Sequence, residues 1–193
     1  MQRILVVHAS RHGGTAGIAE KIGEVLRSAE VDAVVAKAAD MPDPRDFDAC
    51  LVGSGVYMGS WVKEGIEYLE RYAPTLATRP VWLFSSGPLP GSSKSAEAGT
   101  DPIEDALGPA DGPGSGGRKK VEGLAAVIHP RAHRVFQGAY DPTDPPTSLA
   151  ERVIRMLPAS KGILPIGDFR EWPAIEAWAR QVAAEVAAPV PVG

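Results

Sequence analysis

Apolar positions fall along the chain in two alternating rhythms. Ile4-Leu5-Val6-Val7 is a short unbroken run closed by Ala9-Ser10-Arg11-His12-Gly13-Gly14. A β-branched run bounded by turn residues suits a strand buried on both faces. Ile18, Ala19, Ile22, Val25 and Leu26 follow at i, i+1, i+4, i+7 and i+8, one face of a helix over Thr15–Ser28. Val31–Ala36 and Ala49–Ser54 read as the second and third strands, with Gly55–Ser60 as a loop. Trp61–Tyr72 reads as a helix with Ile66 and Leu69 inward, and Pro80–Phe84 as a fourth strand ending at Ser85-Ser86-Gly87-Pro88. The pattern predicts a fifth strand at Arg134–Gly138 and helices at Arg118–Val127 and Leu149–Leu157. Ile175, Trp178, Ala179, Val182, Ala183 and Val186 form the cleanest amphipathic stripe, and Asp168 is the expected N-cap of that last helix.

Strands alternating with helices predict an α/β fold, a doubly wound five-stranded parallel sheet with helices on both faces. Right-handed crossovers and the common five-strand order give 2-1-3-4-5. One domain is expected over residues 1–187, with a tail at 188–193. Ligands of such sheets sit beyond the carboxyl ends of the strands, where strand order reverses. The loops that matter are then Ala9–Thr15, Ser54–Ser60 and Ser85–Leu89.

From Leu89 to Gly117 no period survives, apart from a short helix candidate at Pro102–Leu107. The chain has 193 residues, of which 21 are Gly and 18 Pro, or 39 together. That is about a fifth, against a usual share of about 12%. Much of the excess lies in this stretch, which reads as an insertion at 89–117. A domain of this kind needs about 150 residues, which leaves a surplus of roughly 40, much of it in this insertion. The net charge of −4 argues against a nucleic-acid surface. The single cysteine, Cys50, excludes an internal disulfide framework and reads as an inert buried thiol. Four apolar residues at Ile4–Val7 are too few for a signal peptide, and no run reaches the ~18 of a membrane helix. A cytoplasmic protein with no integral membrane segment is expected. His129 and His133 are spaced i, i+4, but Pro130 breaks any helix between them, so no metal pair is expected.

Chemistry concentrates in the first loop. Ser10-Arg11-His12-Gly13-Gly14-Thr15 follows a buried strand and opens a helix. Glycines allow a sharp turn and close backbone approach, and the helix N-terminus offers unpaired N–H groups to an anion. Two hydroxyls and a guanidinium add to this, and the pattern suits a terminal phosphate. Gly53-Ser54-Gly55-Val56-Tyr57-Met58-Gly59 imitates a dinucleotide fingerprint, but after the third strand rather than the first. Gly112–Lys119 resembles a P-loop superficially; Arg118 stands where Lys is required and no strand precedes it. No Gly-x-Ser-x-Gly elbow exists, so a hydrolase would lack its nucleophile.

Val6-Val7-His8-Ala9-Ser10-Arg11-His12-Gly13-Gly14-Thr15 resembles the phosphate loop of the flavodoxin-like family, Ser/Thr-x-Thr-Gly-x-Thr. Ser10, Gly13 and Thr15 match it, and His12 stands where Thr is usual. The Arg-x-Gly-x-Thr form resembles the bacterial menaquinone-dependent protoporphyrinogen oxidase branch. Asp48–Gly59 is similar to that branch's third strand and flavin loop. Gly167-Asp168-Phe169-Arg170-Glu171-Trp172 is similar to the start of its last helix. The resemblance spans about Arg3–Tyr72, Val81–Pro88 and Val135–Glu185.

It implies FMN as cofactor, with the phosphate on Ser10, Arg11, His12, Gly13, Gly14 and Thr15. The isoalloxazine ring would lie between two loops. Ser54, Gly55, Val56, Tyr57, Met58 and Gly59 form one; Ser85, Ser86, Gly87 and Pro88 form the other. Gly55 is the implied flexible peptide beside flavin N5. Tyr57 is a candidate to stack on the ring or to cover the loop as a surface aromatic. Trp61 is a second stacking candidate, better read as a packing residue. Asp168, Phe169 and Trp172 read as capping and packing residues, and Arg170 as a lesser candidate for substrate contact. No catalytic acid or base stands out. The resemblance implies a flavoenzyme passing electrons between an organic substrate, a porphyrinogen in that branch, and a quinone or similar acceptor. The alternative is an electron carrier that docks to a redox partner protein.

Overall fold

A computed structural model describes residues 1–57, 59–87, 115–140 and 166–188 of the chain. Strands β1 (Arg3–Ala9), β2 (Asp32–Lys37), β3 (Ala49–Tyr57), β5 (Val81–Ser86) and β6 (Ala132–Phe136) form a parallel sheet in the order β2-β1-β3-β5-β6. The numbering departs from the expected 2-1-3-4-5 because a two-residue strand, β4 (Ser60–Trp61), intervenes and pairs antiparallel with the end of β3. The doubly wound α/β fold is as expected.

Among the described residues, four α-helices flank the sheet. Helix α1 (Gly14–Ser28) and helix α4 (Trp172–Ala187) cover one face; α2 (Lys63–Leu76) and α3 (Ser115–Ile128) cover the other. The period of two along each strand sorts the side chains. Ile4, Val6, Leu51, Trp82 and Phe84 meet Ile18, Ile22, Trp178 and Val182. Leu5, Val7, Cys50, Val52 and Leu83 meet Ile66, Leu69, Val121 and Ile128. Continuous apolar runs at β1, β3 and β5 thus reflect burial on both faces.

Several expected boundaries shift. Strand β3 runs on to Tyr57, so the loop expected from Gly55 begins as strand. Trp61 belongs to β4 rather than to a helix; α2 starts at Lys63 and continues through Pro74 to Leu76. Pro74 cannot give an N–H to the carbonyl one turn back, but it lies only two residues from the helix end, so the helix ends shortly after it. The fifth parallel strand begins and ends two residues earlier than expected. Helix α3 begins at Ser115, inside the stretch expected to be aperiodic. Asp168 does not cap the last helix. It lies in a two-residue strand, β8 (Gly167–Asp168), paired with β7 (Ala139–Tyr140), and α4 begins at Trp172 after Glu171. The helices expected at Pro102–Leu107 and Leu149–Leu157 lie outside the described residues. Among those described, no helix is long and apolar enough to cross a membrane.

Cys50 is fully buried in β3, and burial pushes its thiol up to about 12. The thiolate is the reactive form. The native protein should therefore resist iodoacetamide at pH 8 and label fully once unfolded. Labelling of native protein at the unfolded rate would contradict this placement.

Candidate functional site

The carboxyl ends of β1, β3 and β5 converge on the N-terminus of α1. Gly13 is its N-cap, in a left-handed conformation with φ 80° and ψ −16°. Nothing lies within 4 Å of where a Cβ would stand. The first intrahelical bond runs from the Gly17 N–H to the Gly13 carbonyl at 2.9 Å. The amides of Gly14, Thr15 and Ala16 therefore have no helical acceptor. Among the described residues no side chain caps them, and the first turn holds no acidic residue. A carboxylate there would complete the positive end of the dipole; its absence leaves that end for another anion.

The side chains of the loop divide by burial. Arg11 is exposed, Ser10 and His12 half-buried, and Thr15 buried. The Arg11 guanidinium lies 5.0 Å from the Tyr57 ring centroid, and the His12 ring 6.1 Å from it. Tyr57 thus joins the first loop to the end of β3. His8, two residues before Ser10, is buried, and burial pushes its pKa down. It stays neutral and adds no charge to the loop. Among the described residues, Arg11 and Arg170 bring positive charge near the α1 N-terminus; Arg170 Nη1 donates to the Gly14 carbonyl at 3.3 Å.

The second loop is built differently from expectation. The Gly55 carbonyl accepts from the Val62 N–H at 3.1 Å and from the Ser54 hydroxyl at 3.0 Å. The Gly55 carbonyl is thus held by two hydrogen bonds in this arrangement. A Cβ there would stand 2.9 Å from the Tyr57 ring and 3.1 Å from Thr15 Oγ1, so the glycine lets those side chains close over β3. Ser54 is fully buried, and its hydroxyl also accepts from the Val62 N–H at 2.9 Å. Gly59, at φ 75°, makes the turn into β4.

Trp61 is a packing residue. Its indole N–H donates to Ser85 Oγ at 2.8 Å, and that hydroxyl lies 2.8 Å from His133 Nε2. Ser85, like Ser54, is committed inside the protein and supports the loops from below. His133 and Gly138 were missed as neighbours of the site. The register of β6 against β5 places His133 beside Leu83, one strand away from the Ser85 side chain.

The third loop presses on the second. A Cβ at Gly87, whose φ is 153°, would lie 2.8 Å from the Val56 carbonyl oxygen; one at Gly138 would lie 3.2 Å from Gly87 Cα. These glycines serve close approach of three backbones. At Val56 and Gly87 the two loops expected to flank the ring are in backbone contact. Met58 and Pro88 lie outside the described residues.

Behind the first loop, the Phe169 N–H donates to the Gly138 carbonyl at 3.1 Å. Arg170 grips the Asp168 carboxylate through Nε at 2.8 Å and Nη2 at 2.6 Å. That hydrogen bonding holds the Asp168 carboxyl below its usual range.

A family model described as a flavodoxin domain matches residues 5–143, more than half of the chain. No curated protein matches the sequence. Solved structures similar to the chain include a Cys-to-Ser variant of the flavodoxin of Pseudomonas aeruginosa. It is 16% identical, with a TM-score of 0.56, covering 96% of this chain and 99% of that one. Oxidised flavodoxin 2 of Bacillus cereus is 15% identical at a TM-score of 0.55, covering 95% and 99%. The rubredoxin oxygen:oxidoreductase of Desulfovibrio gigas is 11% identical at a TM-score of 0.52; the match covers 97% of this chain and 38% of that larger one. At such identities the likeness is one of fold.

Proposed function

Because the chain belongs to the flavodoxin-domain family, we propose that it is a redox protein holding FMN at the carboxyl edge of its sheet, with the phosphate on Ser10–Thr15. Family membership implies FMN. The residues present fit it: the amides of Gly14, Thr15 and Ala16 are uncapped, Gly13 leaves open space, and the first turn carries no acid. That uncapped end of α1 at the strand-order switch is the observation that carries the reading. Gly13 and Gly14 bring the backbone to the phosphate, Ser10 adds a hydroxyl, and Arg11 adds charge. Val56, Tyr57 and Gly87 offer the surface for the ring, across the loop tips rather than between them. FMN supplies electron acceptance and release; the protein positions it and sets its surroundings.

A flavoenzyme passing electrons between an organic substrate and a quinone or similar acceptor is the first form of this proposal. Its support is sequence that a minimal domain does not need: the Gly/Pro-rich stretch begins directly after Gly87. On the resemblance of Arg11–Thr15 and Gly167–Trp172, a porphyrinogen is the substrate to test first. The second form is a carrier that hands electrons to a partner protein. Its support is the near end-to-end match to the Pseudomonas and Bacillus flavodoxins.

Adding FMN to the purified protein should quench flavin fluorescence and shift the visible bands. Free-flavin spectra at saturating protein would end the proposal in both forms. Anaerobic titration then separates them. Accumulation of a one-electron-reduced form marks the carrier, and direct two-electron reduction the enzyme.

A further inference from the structure

We infer that Arg170 is a positioning residue for the phosphate loop and sets the preference of the site for FMN over riboflavin, an inference that rests on the FMN reading above. The loop has an inherent weakness. Gly13 and Gly14 are consecutive, and each glycine has more backbone freedom to lose than any other residue. The first turn of α1 begins to fix the peptide between Gly14 and Thr15, and a contact from outside the loop can hold it more firmly for its N–H to meet a phosphate.

Arg170 is placed to do so. Its side chain is only 18% exposed. Nε and Nη2 are held by the Asp168 carboxylate, and the guanidinium carbon lies 4.4 Å from the Trp172 ring centroid. Its backbone N–H also donates to Asp168 Oδ1, at 3.1 Å. The β7–β8 pair and the bond from Phe169 to Gly138 fix Asp168 in turn. The remaining arm, Nη1, donates to the Gly14 carbonyl at 3.3 Å. A peptide unit is planar, so a bond to the Gly14 oxygen fixes the direction of the Thr15 N–H in the same plane. Arg is suited to this because its fork is rigid and permanently charged.

Gly17 supports the same assignment from the other side. A Cβ at that position would collide with Arg170 Nη1. Alanine is the better helix former, so glycine in the second turn of α1 is a cost to the helix, and it makes the room that Arg170 occupies. Arg170 therefore works through the loop and has no need to touch the ligand.

Two variants test this by different routes. Arg170→Gln removes the charge and the fork. Gly17→Ala keeps the guanidinium, favours the helix, and displaces Nη1 from Gly14. Both should raise the dissociation constant for FMN about tenfold, the scale of one charge-assisted hydrogen bond. Both should leave riboflavin, which lacks the phosphate, unchanged. In the flavin-free protein, amide exchange should quicken at Thr15 and Ala16 while the rest of α1 keeps its protection. Equal weakening of both flavins would show general damage and overturn the assignment, as would unchanged FMN affinity. Should Arg170→Gln fail to fold, Gly17→Ala decides alone. If the unsubstituted protein bound no FMN, the functional reading would fail and take this inference with it. FMN binding by the unsubstituted protein with unaltered variants would overturn the inference only.

Discussion

Gly13→Asp will weaken FMN binding by a hundredfold or more while the protein stays folded. Gly13 has φ 80°, and its missing Cβ faces open space. Aspartate visits that left-handed region more readily than most residues. A carboxylate at a helix N-terminus is also favoured by the dipole, so folding should lose little. The same carboxylate would stand at the uncapped amides of Gly14, Thr15 and Ala16 and face the phosphate. Two like charges about 4 Å apart repel by about 4 kcal/mol at an effective dielectric of 20. Screening lowers that, but about 2.8 kcal/mol already corresponds to a hundredfold. Gly13→Asn is the control, since it keeps the shape and drops the charge. Fluorescence titration with FMN should separate Asp from Asn by most of that factor. Equal affinities for the two would show that no phosphate approaches the α1 N-terminus.

The largest loss of stability is expected from Phe84→Ala. Phe84 is fully buried, with its ring 6.2 Å from Trp178, which in turn lies 5.6 Å from Phe136. Truncation of such a ring costs about 3–5 kcal/mol, which for a domain of this size lowers the melting temperature by roughly 10 °C. The Phe84 ring lies where a Cβ on Gly53 would have to go, one strand away. Gly53→Ala should therefore cost about 1–3 kcal/mol by overpacking. In the Phe84→Ala background the same change should cost much less, because the ring that opposes it is gone. Thermal melts of the two single variants and the double variant measure this coupling. Additive losses would show that Gly53 and Phe84 do not share that space. The pair also explains the glycine at the head of Gly53–Gly59. It is there for a phenyl ring, not for a dinucleotide.

The parts of the fold that could be read in the sequence are those where burial alone dictates residue type. Strands β1, β3 and β5 are covered on both faces, so their apolar runs stand out. The inner faces of α1 and α4 recur at helical spacing for the same reason. Short elements carry no such mark. β4 has two residues, too few for any period, and Trp61 reads as helix until its indole is seen on Ser85. Asp168 misleads because an acidic residue before an amphipathic run is the ordinary sign of a cap. Pro173 was the better guide, since proline favours the first turn, and it lies in the first turn of α4. Gly116 and Gly117 hid the start of α3 in a glycine-rich stretch. The phosphate loop was legible as residues, but its support was not. Ser85 with His133, and Gly14 with Arg170, meet only through strand register and helix docking, which one sequence does not display.

The contact between Gly14 and Arg170 spans 156 positions of sequence. One partner follows β1 directly, and the other comes after the whole parallel sheet. During synthesis the phosphate loop leaves the ribosome early, and Arg170 follows only after most of the sheet has been made. A nascent chain can build β1 and the first turn of α1 long before that loop is fastened. Full preference for FMN over riboflavin then waits for Arg170, which is made long after the loop it holds. The preference for FMN over riboflavin thereby reports whether two segments made far apart in time have met.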